Sequence, residues 1–293
     1  MIKWKGTAWS FHPLFVIVML GSVVTGYFVE LFTLFVIVLV HELGHVFVAK
    51  SFGWTVREVK LLPFGGVAEV EEAGGVPAKE DALVAIAGPL QNVWMGLAAW
   101  ACGKLGFWDP EWAAYVWQAN VMIGLFNLLP IHPLDGGKLL QAALSYAFNY
   151  YKVLIWTARI SLLFSVLMIA GALLPYLTGR EGIQLNLLIV GVFLLLTNWT
   201  YYRNVPFLFY RFLMHRGRIA MKALALGQTA SPLIVSGRQS IISVARLFSR
   251  ERYHLIYMVE PGSKEVKVVP EQRIVEGCLS ERNPARAVSE LFS

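Results

Sequence analysis

A chain of 293 residues with 57% hydrophobic and only 15% charged side chains, at a mean hydropathy of +0.58, falls outside soluble averages and predicts several membrane spans in one or two domains. Its formal net charge of +6 does not signal nucleic-acid binding, which is not expected, because the basic residues sit mostly beside apolar segments and there set membrane orientation. Two cysteines, Cys102 and Cys278, fall in regions assigned to opposite sides of the membrane and join no metal-ligand cluster, so no disulfide is expected.

Lys3 and Lys5 precede the first apolar run, Pro13 to Val29. It has no small-residue cleavage site near Gly26 and reads as a retained span. A tight reversal at Glu30 is expected before the second run, Leu31 to Ala49, which carries His41-Glu42-Leu43-Gly44-His45. On a helix, His41 and His45 sit one turn apart on the same face, so both imidazoles can reach one ion. Glu42 stands beside them, placed to take a proton from an activated water. A charged group at hydrocarbon depth costs about 2.5–3.5 kcal/mol unless paired, so this cluster demands a partner, and a metal ion explains Glu42 where mutual satisfaction of two histidines does not.

A polar segment follows from Lys50 to Asp81. Within it, Val56 to Leu62 and Val67 to Val70 read as two short strands around a Gly65-Gly66 turn, either an ordinary hairpin or an edge strand beside the site. Further spans are expected over Ala82 to Gly103, Trp112 to Leu129, Val153 to Leu177 and Ile183 to Tyr201. With six spans, Lys3, Lys5, Lys50, Arg57, Lys60, Lys79, Lys138, Lys152, Arg203, Arg211, Arg216 and Arg218 fall on one side, against Lys104 and Arg180 on the other. The positive-inside rule puts the first side, with both termini, in the cytoplasm.

The fourth span ends in Asn127-Leu128-Leu129-Pro130-Ile131-His132-Pro133-Leu134-Asp135-Gly136-Gly137. Two prolines and two glycines break the helix at membrane depth, which is tolerated only where backbone is buried in protein or lines a wet cavity. This span runs towards the cytoplasm, so the break reaches the depth of His41 and His45, and Asp135 can complete a set of three zinc ligands. His132 is the rival ligand, and a cytoplasmic turn with a capping Asp is the plain reading.

After Tyr202 the composition changes. Residues 203 to 222 are basic and aromatic, suited to a linker on the membrane surface, or to substrate contact. From Ala223 onward charges are dense, and the pattern reads as strand (Leu233 to Val235), helix (Ser240 to Ser249), strand (His254 to Val259), strand (Val266 to Val269) and helix (Glu271 to Leu279).

The pairing of His41-Glu42-Leu43-Gly44-His45 with Asn127 to Gly137 resembles the site-2 protease family of intramembrane zinc metalloproteases, in its sporulation branch. Leu62-Pro63-Phe64-Gly65-Gly66, Glu69-Val70-Glu71-Glu72 and Ile86-Ala87-Gly88-Pro89-Leu90-Gln91 extend the likeness. It covers Met1 to about Tyr202 well and the rest loosely. It implies one zinc ion held by His41, His45 and Asp135, with Glu42 as general base and Asn127 and Pro130 shaping the substrate cleft. Pro133 is a further cleft candidate, and the Gly65-Gly66 hairpin is expected to hold substrate by strand addition. His132 is a departure, since the family pattern leads one to expect a bulky apolar residue or proline there. The implied substrate is pro-sigma-K, an inactive sigma-factor precursor. The implied inhibitory partners are stage IV protein FA and the bypass-of-forespore protein A, and the implied location is the mother-cell-derived membrane around the forespore. The C-terminal order resembles a cystathionine-β-synthase-type (CBS) module, which implies ATP binding and a homo-oligomer; no glycine-rich phosphate loop accompanies it. The expected architecture is therefore a polytopic α-helical membrane protein with six transmembrane helices (1–202), a linker (203–222) and a small cytoplasmic α/β CBS-type domain (223–293). A zinc or proton-coupled transporter is the competing reading, against which stand a single ligand cluster and the lack of an internal repeat.

Overall fold

The computed structural model describes residues 2–4, 7–11, 13–62, 65–71, 76–179, 182–227, 229–259, 266–280 and 285–292. Its backbone forms two compact units, residues 1–72 with 79–139, and residues 73–78 with 140–293. The division at Leu139 differs from the expected one at Tyr202, because the last two long helices pack with the C-terminal module in a single core.

In the first unit, strands β1 (Ile2–Trp4) and β2 (Thr7–Phe11) precede helices α1 (Pro13–Thr25) and α2 (Phe28–Ser51). The reversal between the helices falls at Gly26, whose φ of +83° suits glycine, and not at Glu30, which lies in the first turn of α2. Gly53, with φ +77°, closes α2; the Gly53 and Trp54 N–H groups donate back to the Lys50 and Ala49 carbonyls. Then come β3 (Thr55–Leu62) and β4 (Gly65–Glu71), α3 (Ala78–Lys104), α4 (Pro110–Asn127) and the start of α5 (Asp135–Ala147). Asp109 caps α4, accepting from the Glu111 and Trp112 N–H groups at 3.0 and 3.1 Å, with Pro110 in the first helical position.

The strands form one sheet in the order β1-β2-β3-β4, with β2 and β3 parallel and the other pairs antiparallel. Gly65 and Gly66 are paired ladder residues of β4, opposite Leu62 and Leu61, rather than the turn itself. The two residues that join the strands, Pro63 and Phe64, lie outside the described residues. As an outer strand, β4 leaves one row of backbone groups without a ladder partner among the described residues of this sheet.

In the second unit, α6 (Tyr150–Leu177) packs along α7 (Leu185–Met214), followed by α8 (Arg216–Leu226). The expected linker is thus helical: α7 runs through most of it. Strand β5 (Ser231–Ser236), helix α9 (Ile241–Ala245), strands β6 (His254–Val259) and β7 (Val266–Pro270), helix α10 (Glu271–Ser280) and a 3₁₀ turn (Val288–Phe292) complete the chain. The three strands lie in the order β5-β6-β7. Val235, Ile256, Met258 and Val269 point inward, into a core with Phe209, Phe212, Leu213, Phe248 and Ile274. Beneath them Arg216 and Glu271, each 1% exposed, pair directly, and the Glu271 carboxylate also accepts from the His254 backbone N–H at 2.9 Å. Burial pushes the Glu271 carboxyl up, yet the His254 and Arg216 hydrogen bonds and the Arg216 charge hold it below its ordinary value.

Among the described residues, four helical segments are long and apolar enough to cross a membrane: Phe28–Ser51, Ala78–Lys104, Tyr150–Leu177 and Leu185–Met221. Large apolar side chains such as Phe47, Trp94, Leu163 and Phe193 face outward on them, as lipid-facing positions require.

Candidate metal centre

The site begins with helix periodicity. His41 and His45, four residues apart on α2, present their rings edge-on at 4.8 Å between centroids. After Asn127, hydrogen bonds from Ile131 to Leu129 and from Leu134 to Ile131 close a compact turn. That turn feeds directly into α5, whose first residue is Asp135. Glycine is required where the turn folds back on the helix: a Cβ on Gly136 would fall on the Leu128 carbonyl, and one on Gly137 would come within 2.6 Å of the His132 nitrogen.

This places Asp135 Oδ2 3.1 Å from Nε2 of His41 and 3.1 Å from Nε2 of His45. The two Nε2 atoms are themselves 3.1 Å apart. Three donor atoms at equal spacing, all on residues at most 6% exposed, match the roughly 3.3 Å edge expected of a tetrahedron with zinc bonds of about 2.0–2.1 Å. Two imidazoles and a carboxylate also suit zinc chemically, so the residues present fit that ion. His132 stands outside this trio; its peptide bond to Pro133 is cis. Glu42 is half-buried next to His41 and within electrostatic reach of His41, His45, Asp135 and Lys138. Lys138 Nζ lies 3.6 Å from Asp135 Oδ1, the oxygen that faces away from the imidazoles.

Both histidines are held from behind. The Nδ1–H of His45 donates to the Val84 carbonyl at 2.7 Å, and that of His41 donates to Asn92 Oδ1 at 2.5 Å. Both acceptors belong to α3. Pro89, inside the same helix, has no N–H to offer the Ala85 carbonyl next to Val84. Gly88 gives α3 its close approach: a Cβ there would collide with His45 and come within 2.6 Å of His41 Nε2. Gly44 does the same from α2, where a Cβ would meet the Ala87 carbonyl at 2.8 Å. Sequence reading assigned no role to Gly88 and did not reach Asn92. The available signal was a glycine and an asparagine at i, i+4 on an otherwise apolar helix.

Of the remaining expected site residues, Asn127 closes α4 and donates to the Ile123 carbonyl at 3.1 Å. Pro130 and Pro133 shape the turn between Asn127 and Asp135, and Gly65 and Gly66 open the outer strand.

Residues 29–108 and 104–168 match the profile of peptidase family M50. The chain is 32% identical to the stage IV sporulation protein FB of Bacillus subtilis, over 96% of this chain and 94% of that protein. It is 32% identical to the zinc metalloprotease MJ0392 of Methanocaldococcus jannaschii, over 61% of this chain and 52% of that one. Among solved structures it matches the site-2 protease from Methanocaldococcus jannaschii with a TM-score of 0.53 at 29% identity, over 69% of this chain and 94% of that one.

Proposed function

This chain belongs to peptidase family M50, the site-2 zinc metalloproteases, and we propose that it hydrolyses a peptide bond of a membrane-associated precursor using one zinc ion held by His41, His45 and Asp135. The observation that carries this reading is the triangle of Nε2, Nε2 and Oδ2 atoms, each 3.1 Å from the others.

A zinc ion there would supply Lewis acidity, activating water and polarising the scissile carbonyl. Glu42 takes the proton from the attacking water and delivers it to the leaving amine. His41 and His45 keep their Nε2 lone pairs directed at the ion because each Nδ1 spends its proton on an acceptor of α3. The substrate enters locally extended, since a helix hides its carbonyls in internal bonds. The open edge of β4, beginning at Gly65 and Gly66, supports capture by strand addition. Asn127, Pro130 and Pro133 form the neighbouring wall of the cleft.

Six spans follow if α1 and α4 also cross, as the sidedness of the basic residues requires; both termini then lie in the cytoplasm. His45 is six residues short of the end of α2, about 9 Å along the axis, so the site opens towards that side. On the likeness to the sporulation protein, the substrate is pro-sigma-K in the membrane around the forespore, with stage IV protein FA and the bypass-of-forespore protein A as inhibitors. The β-α-β-β-α order of residues 231–280 supports a CBS-type module over 223–293, and on that likeness ATP is its ligand. The outward row Ile234, Tyr257 and Val268, in register across the sheet, supports self-association.

Glu42→Gln tests the mechanism. Purified variant and wild type should hold equal zinc, while cleavage of the sigma-factor precursor falls by roughly 10²–10⁴-fold. Processing at the wild-type rate would remove Glu42 from the role of base.

A further inference from the structure

Resting on the zinc-protease reading above, we propose that Asn120, acting through Asn92, is a positioning residue that locks the His41 proton on Nδ1 and thereby keeps Nε2 free to ligate. The three side chains form a line of hydrogen bonds from α4 through α3 to α2. Asn120 Nδ2 donates to the Val116 carbonyl at 2.9 Å, Asn92 Nδ2 donates to Asn120 Oδ1 at 3.3 Å, and His41 Nδ1 meets Asn92 Oδ1 at 2.5 Å. His41 and Asn92 are 2% exposed and Asn120 is fully buried, so water cannot stand in for a lost partner.

The polarity of the line is set at its far end. A backbone carbonyl can only accept, so Asn120 must turn its NH₂ to Val116 and its oxygen to Asn92. Asn92 must then turn its own NH₂ to Asn120 and its oxygen to His41. An imidazole facing an oxygen is a donor at that nitrogen, which leaves the lone pair on Nε2, the atom 3.1 Å from Asp135. The opposite tautomer would oblige both amides to flip and set the Asn120 oxygen against the Val116 oxygen, two buried acceptors without a hydrogen between them. His45 needs no such relay, because its Nδ1–H meets the Val84 carbonyl directly. The two ligand histidines are therefore oriented by different means, one by backbone and one by two amides.

The test uses the full chain in detergent micelles with ¹⁵N-labelled histidine. Ring-nitrogen NMR of the metal-free protein reads the tautomer, and chelator competition reads zinc affinity. Asn120→Leu should give His41 a mixture of tautomers and weaken zinc about 10-fold, within the range for outer-shell partners, while the His45 signals hold still. Asn120→Ala gives the same reading if the leucine variant does not fold. The double variant Asn92→Asp/Asn120→Leu should restore both signals, because a carboxylate accepts from Nδ1–H without help from Asn120. An unchanged tautomer and affinity in Asn120→Leu overturns the proposal. Loss that persists in the double variant does so too, since it assigns Asn120 to packing alone. Both measurements are made without substrate, so a chain that binds zinc but cleaves nothing would sink the protease reading and not this one.

Discussion

At the scale of single residues the centre is defined as much by what is missing as by what is present. Gly88 carries no Cβ where one would strike both imidazoles, so Gly88→Ala should reduce bound zinc well below one ion per chain. Asp135→Asn should lose zinc and cleavage together, whereas His132→Pro should retain both, since His132 stands outside the trio. Metal analysis of the purified variants checks all three, and the reverse behaviour of the last two would make His132 the ligand. The histidines were legible in the sequence because their spacing is one helical turn. Asp135 was legible because prolines and glycines in an apolar run announce a buried, purposeful break. Asn92 and Asn120 were harder to place, because each stands out as polar on a largely apolar helix while nothing local says which neighbour it meets.

Among the elements, the two sheets contrast. β3, β4 and the C-terminal order could be read from local alternation and turn residues. The N-terminal strands could not: β2 pairs in parallel with β3 across two intervening helices, and such a long-range pairing leaves no local signature. The glycines at 65 and 66 were misplaced for a related reason, since Gly-Gly ordinarily marks a turn, yet here it opens the outer strand. In the second unit, β6, α8 and α10 meet at the buried Arg216–Glu271 pair. The folded Glu271 carboxyl titrates below its ordinary 4.5, so its contribution is complete above that value and fades as pH falls through the lower folded one. Thermal unfolding should show the wild type losing stability below about pH 4.5. Glu271→Gln leaves the arginine without its counter-charge; it should be weaker at neutral pH by about 3–5 kcal/mol and respond less to acid.

For the molecule as a whole, four segments among the described residues carry the hydropathy of a span, and their outward Phe, Leu and Trp side chains account for much of the chain's apolar composition. The C-terminal sheet has a different kind of apolar exposure. Ile234, Val266 and Val268 are 78%, 53% and 55% exposed, on the face opposite the buried Val235, Ile256 and Val269. A sheet leaves such a face bare only at a cost, so the self-association proposed above would pack two copies face to face. Ile234→Asp with Val268→Asp should halve the mass measured by light scattering in detergent; an unchanged oligomer would place self-association elsewhere.

The parallel seam between β2 and β3 ties the opening stretch of the polypeptide to the ribbon that offers its free border at β4. Trimming away residues 2–11 would strip β3 of one flank and leave the remaining hairpin as a two-stranded ribbon, which is marginal on its own in water. Such a shortened protein should keep its ion while handling long precursors poorly, so affinity tags and truncations are best confined to other parts of the chain.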